Sequence, residues 1–131
     1  MYIYDYSEPR NNTISSNFIT NNTYGLYIEH AHNNTISGNT ITNNEYGIYL
    51  LESHFDVLRN NNLNQNRYSF YVSNFGNDID TSNLVDGKPI IYWINQEDKT
   101  VPSEAGYVAL INCKKITVRN LTLTNNGHGI L

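Results

Sequence analysis

His30, His32 and His54 have the spacing of residues gathered at one surface corner. His54 follows His32 by 22 residues, Glu52 follows His30 by 22, and His30 precedes His32 by two. In an extended strand, residues two apart point the same way. Three imidazoles and a carboxylate are ligands for copper or zinc. The simpler reading is exposed turn residues, because Asn74 and Gly76 take those places one interval later. An acidic group shares the interval. Asp56 and Asp78 are 22 apart, with Asp80 and Arg59 close by in sequence. Carboxylates in a row hold Ca²⁺ beside an Arg or Lys base, and two carboxylates at a set separation cleave glycosidic bonds. A solvated acidic face is the simpler reading. The third group is aromatic. Tyr27, Tyr49 and Tyr71 recur at 22, and Tyr92 and Trp93 lie in a later irregular segment. Stacked exposed tyrosines suit contact with sugar rings or with a covering loop, and an aromatic ladder within a sheet is the simpler reading.

The shared interval is a repeat. NNTISSNFITNNTYGLYIEHAH (11–32), NNTISGNTITNNEYGIYLLESH (33–54) and FDVLRNNNLNQNRYSFYVSNFG (55–76) align without a gap, and residue 77 starts a fourth unit. Residues 1–10 fit the back half of a preceding unit, with Tyr2 in register with Tyr24. Columns of one residue type result: Ile14, Ile36, Leu58; Ile19, Ile41, Leu63, Val85; Leu26, Ile48, Phe70; Ile28, Leu50, Val72; Asn17, Asn39, Asn61, Asn83; Tyr24, Tyr46, Tyr68. After Val85 the chain is 16 residues too long for the period. It resumes with Val108 and Leu110 in the columns of Ile48 and Leu50, Val118 and Leu123 follow Leu58 and Leu63, and Ile130 follows Val108 by 22. The excess lies in 86–105, read as a loop or short hairpin extruded from the repeat and able to lie across the tyrosines.

Apolar residues come in pairs two apart, separated by Asn, Gly and Ser. That is strand period, and so much Asn, Gly and Thr makes a poor helix. The expected fold is all-β, a right-handed parallel β-helix of 22-residue coils with three short strands per coil. The coils are 11–32, 33–54, 55–76, 77–107 with the excess in 86–105, and 108–131, in a single segment. Residue i then lies on residue i+22, about 4.8 Å away. The 23 asparagines have a structural task in such a coil. Asn tolerates the left-handed conformation of a tight corner, and its amide can hydrogen-bond to the same residue one coil on. Asn17, Asn39, Asn61 and Asn83 are the expected ladder.

A charged fraction of 15% argues against disorder, and a net charge of −4 without a basic run argues against nucleic acid. One Cys, Cys113, allows no internal disulfide and no Cys-rich zinc site. No apolar run is long enough to span a membrane and no signal peptide is visible. Sequons at Asn11, Asn21, Asn33 and Asn120 would accept glycans on a secreted chain. The chain starts and stops in mid-coil, so the expectation is a segment of a longer protein or end-to-end stacking.

The NNTISGNTITNN…GIYL pattern resembles the right-handed parallel β-helix repeats of the NosD-like family, which is named for a periplasmic copper-binding accessory protein of nitrous oxide reductase. The broader group is described as carbohydrate-binding proteins and sugar hydrolases. The resemblance covers nearly the whole chain, and 86–131 looks like repeats in archaeal surface-layer and secreted proteins. It carries over no catalytic residue. It implies a prokaryotic surface, secreted or periplasmic module that scaffolds or binds a polysaccharide or another protein, without a cofactor. The alternatives are a polysaccharide-active enzyme and a copper-binding accessory protein.

Overall fold

The computed structural model describes residues 1–3 and 9–131. The repeat folds as a parallel β-helix in which each coil makes three short strands. Coil 11–32 contains β2 (Thr13–Ser15), β3 (Phe18–Thr20) and β4 (Tyr24–Glu29), preceded by β1 (Tyr2–Ile3). Coil 33–54 contains β5 (Thr35–Ser37), β6 (Thr40–Thr42) and β7 (Tyr46–Leu51). Coil 55–76 contains β8 (Val57–Arg59), β9 (Asn62–Asn64) and β10 (Tyr68–Val72). Then come β11 (Asp78–Ile79), β12 (Leu84–Val85), β13 (Lys88–Ile94) and β14 (Tyr107–Ile111). No helix of the described residues is long and apolar enough to cross a membrane.

Three sheets run along the stack, in the orders β1-β4-β7-β10, β11-β8-β5-β2 and β14-β13-β12-β9-β6-β3. Ile14 lies on Ile36 and Ile36 on Leu58, while Ile19, Ile41, Leu63 and Val85 make the next column. Leu26, Ile48 and Phe70 stack, as do Ile28, Leu50 and Val72. Nearly all of these side chains are fully buried. Each contributes about 2 kcal/mol of apolar burial.

Two registers depart from the 22-residue period, the second in the way that Asp80 in an inward column leads one to expect. Tyr2 pairs with Tyr27, not Tyr24, so β1 is shifted by three residues. Asp78 pairs with Val57 and Ile79 with Leu58, a slip of one residue that turns Ile79 inward and puts Asn77, not Asp78, in the column of Asp56. The slip follows from polarity, since the 22-residue register would have buried Asp80 in the column of Leu58.

The larger departure lies at 86–105. Asp86 and Gly87 both have positive φ, 48° and 76°, as an Asp-Gly two-residue hairpin requires. The hairpin forms, with Val85 opposite Lys88 in an antiparallel pair. Its second strand is not extruded. β13 continues the sheet and pairs in parallel with β14, Ile90 opposite Tyr107 and Ile91 opposite Val108, a coil of 17 residues rather than 22. Chain direction is therefore reversed beyond residue 87, and Val108 lies over Ile91 and under Ile130 instead of in the column of Ile48.

The β13–β14 wall has a core on each face. Ile90, Tyr92, Tyr107 and Ala109 close the core of the first stack, with the Tyr107 ring edge-on to Phe70 at 5.0 Å. Ile91 and Val108 face a second core with Val101 and Ala105, against which Trp93, Leu110, Ile116, Val118, Leu121 and Leu123 pack. Strand alternation thus serves two interiors.

Candidate functional site

An ordered array of aromatic side chains lies on the β4-β7-β10 sheet. Tyr24, Tyr46 and Tyr68 stack in one column, centroids 4.9 and 5.0 Å apart. Tyr27, Tyr49 and Tyr71 stack in a second, at 5.5 and 4.1 Å with interplanar angles of 7° and 6°. The columns meet edge to face, Tyr24 with Tyr27 at 5.0 Å and Tyr46 with Tyr49 at 5.6 Å. All six are half-buried. Gly25 and Gly47, each directly after a first-column tyrosine, let neighbouring backbones come close: a Cβ on Gly47 would stand 2.3 Å from the Ser69 carbonyl oxygen. Burial and the neighbouring Tyr71 push the Tyr49 hydroxyl up to about 12, so that phenol stays a neutral donor at any physiological pH. Because the ring faces cover one another, the array offers solvent ring edges and hydroxyls. The insertion does not cross this face. Instead, the imidazole of His128 stacks on Tyr71 at 4.6 Å, and Gly127 donates its N–H to the Phe70 carbonyl.

Tyr92 and Trp93 do not join the array. Tyr92 is buried in the first core with its hydroxyl toward the Asn74 carbonyl at 3.4 Å, and burial pushes that hydroxyl up to about 12. Trp93 points oppositely, into the second core, with the Lys99 ammonium over its ring.

The histidine corner is only half assembled. His32 and His54 rings lie 5.2 Å apart, and His32 Nδ1 accepts the His54 N–H. His54 Nε2 meets the Asn74 amide at 2.9 Å. With Arg10, Asn33 and Phe55 the pair lines a shallow basin of about 140 Å³. His30 leaves the strand with φ 47° and pairs with Glu52 at 3.1 Å. No three His, Cys, Asp or Glu side chains stand together as metal ligands among the described residues.

The acidic row does not form. Asp78 and Asp80 both pair with Arg59 on the outside, while Asp56 is fully buried in a corner. The one arginine between the two carboxylates offsets one of their two charges and holds both in ion pairs. It leaves neither a cation cradle nor an unpaired base.

The corners are more elaborate than their sequence pattern suggests. Asn17 N–H and Nδ2 both donate to Asn39 Oδ1, Asn39 does the same to Asn61, and Asn61 to Asn83, at 2.8–3.2 Å. Two further ladders, unseen from sequence, stand at the other corners: Asn22, Asn44, Asn66 and Asn12, Asn34, Asp56, Asn77. The left-handed conformation is not on the ladder residue. It falls on the residue before it: Asn11, Ser16, Asn21, Asn33, Gly38, Asn43, Phe55, Asn60 and Gln65. The Asn-Asn doublets are thus one bending residue and one bonding residue. Cys113 takes a ladder seat in the reversed coil, its thiol facing the carbonyls of Trp93 and Ile111 at 3.4 Å.

A family model described as periplasmic copper-binding protein (NosD) matches residues 2–94, up to the last residue of β13. Comparison with curated proteins and with solved structures finds no match. The copper in the family's description meets a poor donor set here. The His32–His54 pair is engaged with a backbone N–H and an asparagine amide, and no third ligand joins it among the described residues. These residues do not fit a copper centre. The match over 2–94 and the stacked parallel coils agree, and the chain belongs to the NosD family.

Proposed function

We propose that the chain is a non-catalytic β-helix module that works outside the cytoplasm as a scaffold and presents its tyrosine face to polysaccharide. The observation that carries this reading is the double column of six tyrosines across three coils. Covered ring faces cannot sandwich a sugar, but their edges and hydroxyls repeat at the coil spacing, about 4.8 Å. A polymer lying along the stack meets a donor or acceptor at each coil, so weak contacts add along its length. The periplasmic description of the family supports an extracytoplasmic setting.

A polysaccharide and oligosaccharide array probed with the native chain and with a Tyr27→Ser/Tyr49→Ser/Tyr71→Ser variant tests this. Binding that strengthens with polymer length and falls at least tenfold in the variant is expected. Silence of the native chain across the array would leave a structural spacer.

A further inference from the structure

One ladder contains a residue whose chemistry does not match its seat. In the sister ladders each buried asparagine nitrogen donates to a backbone carbonyl 25 residues earlier, and where another asparagine follows one coil on it also donates to that residue's Oδ1. Asn39 reaches Asn61 Oδ1 and the Ile14 carbonyl, and Asn61 reaches Asn83 Oδ1 and the Ile36 carbonyl. Asp56 holds the same seat between Asn34 and Asn77. It keeps the accepting half of the pattern, since Oδ1 takes the Asn34 N–H at 2.8 Å and Nδ2 at 3.0 Å. Its own N–H donates to Asn77 Oδ1 at 3.0 Å. The donating half is missing. Where the other seats carry a nitrogen, Asp56 carries Oδ2, buried and without a hydrogen-bond partner. By the pattern of the sister ladders, the acceptors such a donor would serve are Asn77 Oδ1 and the Ala31 carbonyl, the counterparts of Asn61 Oδ1 and the Ile14 carbonyl for Asn39. An anionic oxygen there would add repulsion to the loss of hydration.

We infer that Asp56 carries a proton in the folded protein and stands in for an asparagine, its O–H replacing an amide N–H, so that this corner is a proton-dependent joint between coils. Burial is the main cause raising the carboxyl above its ordinary range. The hydrogen bonds from Asn34 and the fields of His32 and His54 act the other way, and among the described residues Arg10 is the further charged group beside this histidine pair. The sign follows. A carboxyl raised on folding binds more protons folded than unfolded between its two pKa values, so stability is full below the unfolded carboxylate range and falls as pH rises through the folded value. Ionisation would loosen the corner at 53–57, where the chain already turns through a left-handed Phe55.

Two measurements test the joint. Thermal unfolding of the native chain and of Asp56→Asn is followed from pH 4 to pH 9. The asparagine restores the missing donor without a charge. Its melting temperature should exceed the native value by about 5 °C at pH 8, with the gap closing toward pH 4. Parallel pH profiles, or a less stable Asp56→Asn at pH 8, would overturn the inference. The second measurement needs no variant: the Asp56 carboxyl carbon is titrated by NMR in the native protein, with amide exchange of Asn34 and Val57 read alongside. A midpoint above the ordinary aspartate range, with exchange accelerating through it, is expected. A midpoint in or below that range refutes the proton-bearing carboxyl.

Discussion

The first three coils and the reversed segment after residue 87 solve the same corner problem with different chemistry. In coils 11–76 identical side chains recur at 22 residues, and asparagine ladders tie the corners. Beyond the hairpin the first coil shortens to 17 residues, and mixed residues fill its corners: Gln96 donates to the Ile94 carbonyl, Cys113 faces the Trp93 carbonyl, and Asn112 donates to Asn95. A ladder needs translation by one fixed coil length. In the 17-residue coil some like pairs remain, Ile94 on Ile111 and Asn95 on Asn112, but the ladder seats hold Gln96 and Cys113, which bond to backbone carbonyls instead of to the same side chain one coil on. The first region should therefore respond to one substitution over several coils, and the second only at the site.

The largest expected effect is Asn61→Ala. It strands Asn39 N–H, leaves Asn39 Nδ2 with the Ile14 carbonyl alone, and removes the side-chain donor of the Ile36 carbonyl, all in a dry corner. At roughly 1–3 kcal/mol for each unsatisfied group, with partial relaxation, we expect a loss of about 4 kcal/mol in denaturant unfolding. Hydrogen exchange should rise in the coils above and below it. Cys113→Ala removes only a weak donor from a half-buried seat, so a loss of about 1 kcal/mol is expected, with exchange altered only near residues 93 and 113. Equal losses for the two variants would break the contrast. The smallest effect sharpens it within the first region. Phe55 holds a left-handed corner at φ 59° with its ring mostly exposed, where its column mates are Asn11 and Asn33. Phe55→Asn should gain about 0.5 kcal/mol by relieving backbone strain, read as a shift of the unfolding midpoint at constant slope.

Much of this was legible in the sequence. Residue identity at 22-residue spacing gave the coil length, the inward columns, the outward tyrosines and one ladder. The two further ladders were hidden because asparagine suits both the bend and the bond. A doublet such as Asn33-Asn34 does not say which member does which. The one-residue slip at Asp78 was foreshadowed by Asp80, a charge in an inward column. The reversal at Asp86-Gly87 carried a hairpin signal. Its destination did not, because consecutive Ile90, Ile91 and Tyr92 belong to a wall buried on both faces and show no alternation of apolar with polar. The histidine corner was half legible. The His32–His54 pair follows from the interval, whereas the left-handed turn at His30 that swings it to Glu52 depends on three-dimensional corner geometry.

The antiparallel turn after Val85 also bears on how such a chain can change its length. Duplicating 33–54 would insert a coil whose columns and ladders match those on either side, lengthening the rod by one sheet spacing, about 4.8 Å. The same unit placed after Gly87 would enter a stack running the other way, with a 17-residue neighbour whose ladder seats hold Gln96 and Cys113 instead of asparagine. Growth is open on one side of the hairpin and closed on the other, so the Asp-Gly pair acts as an end-stop on a modular ruler.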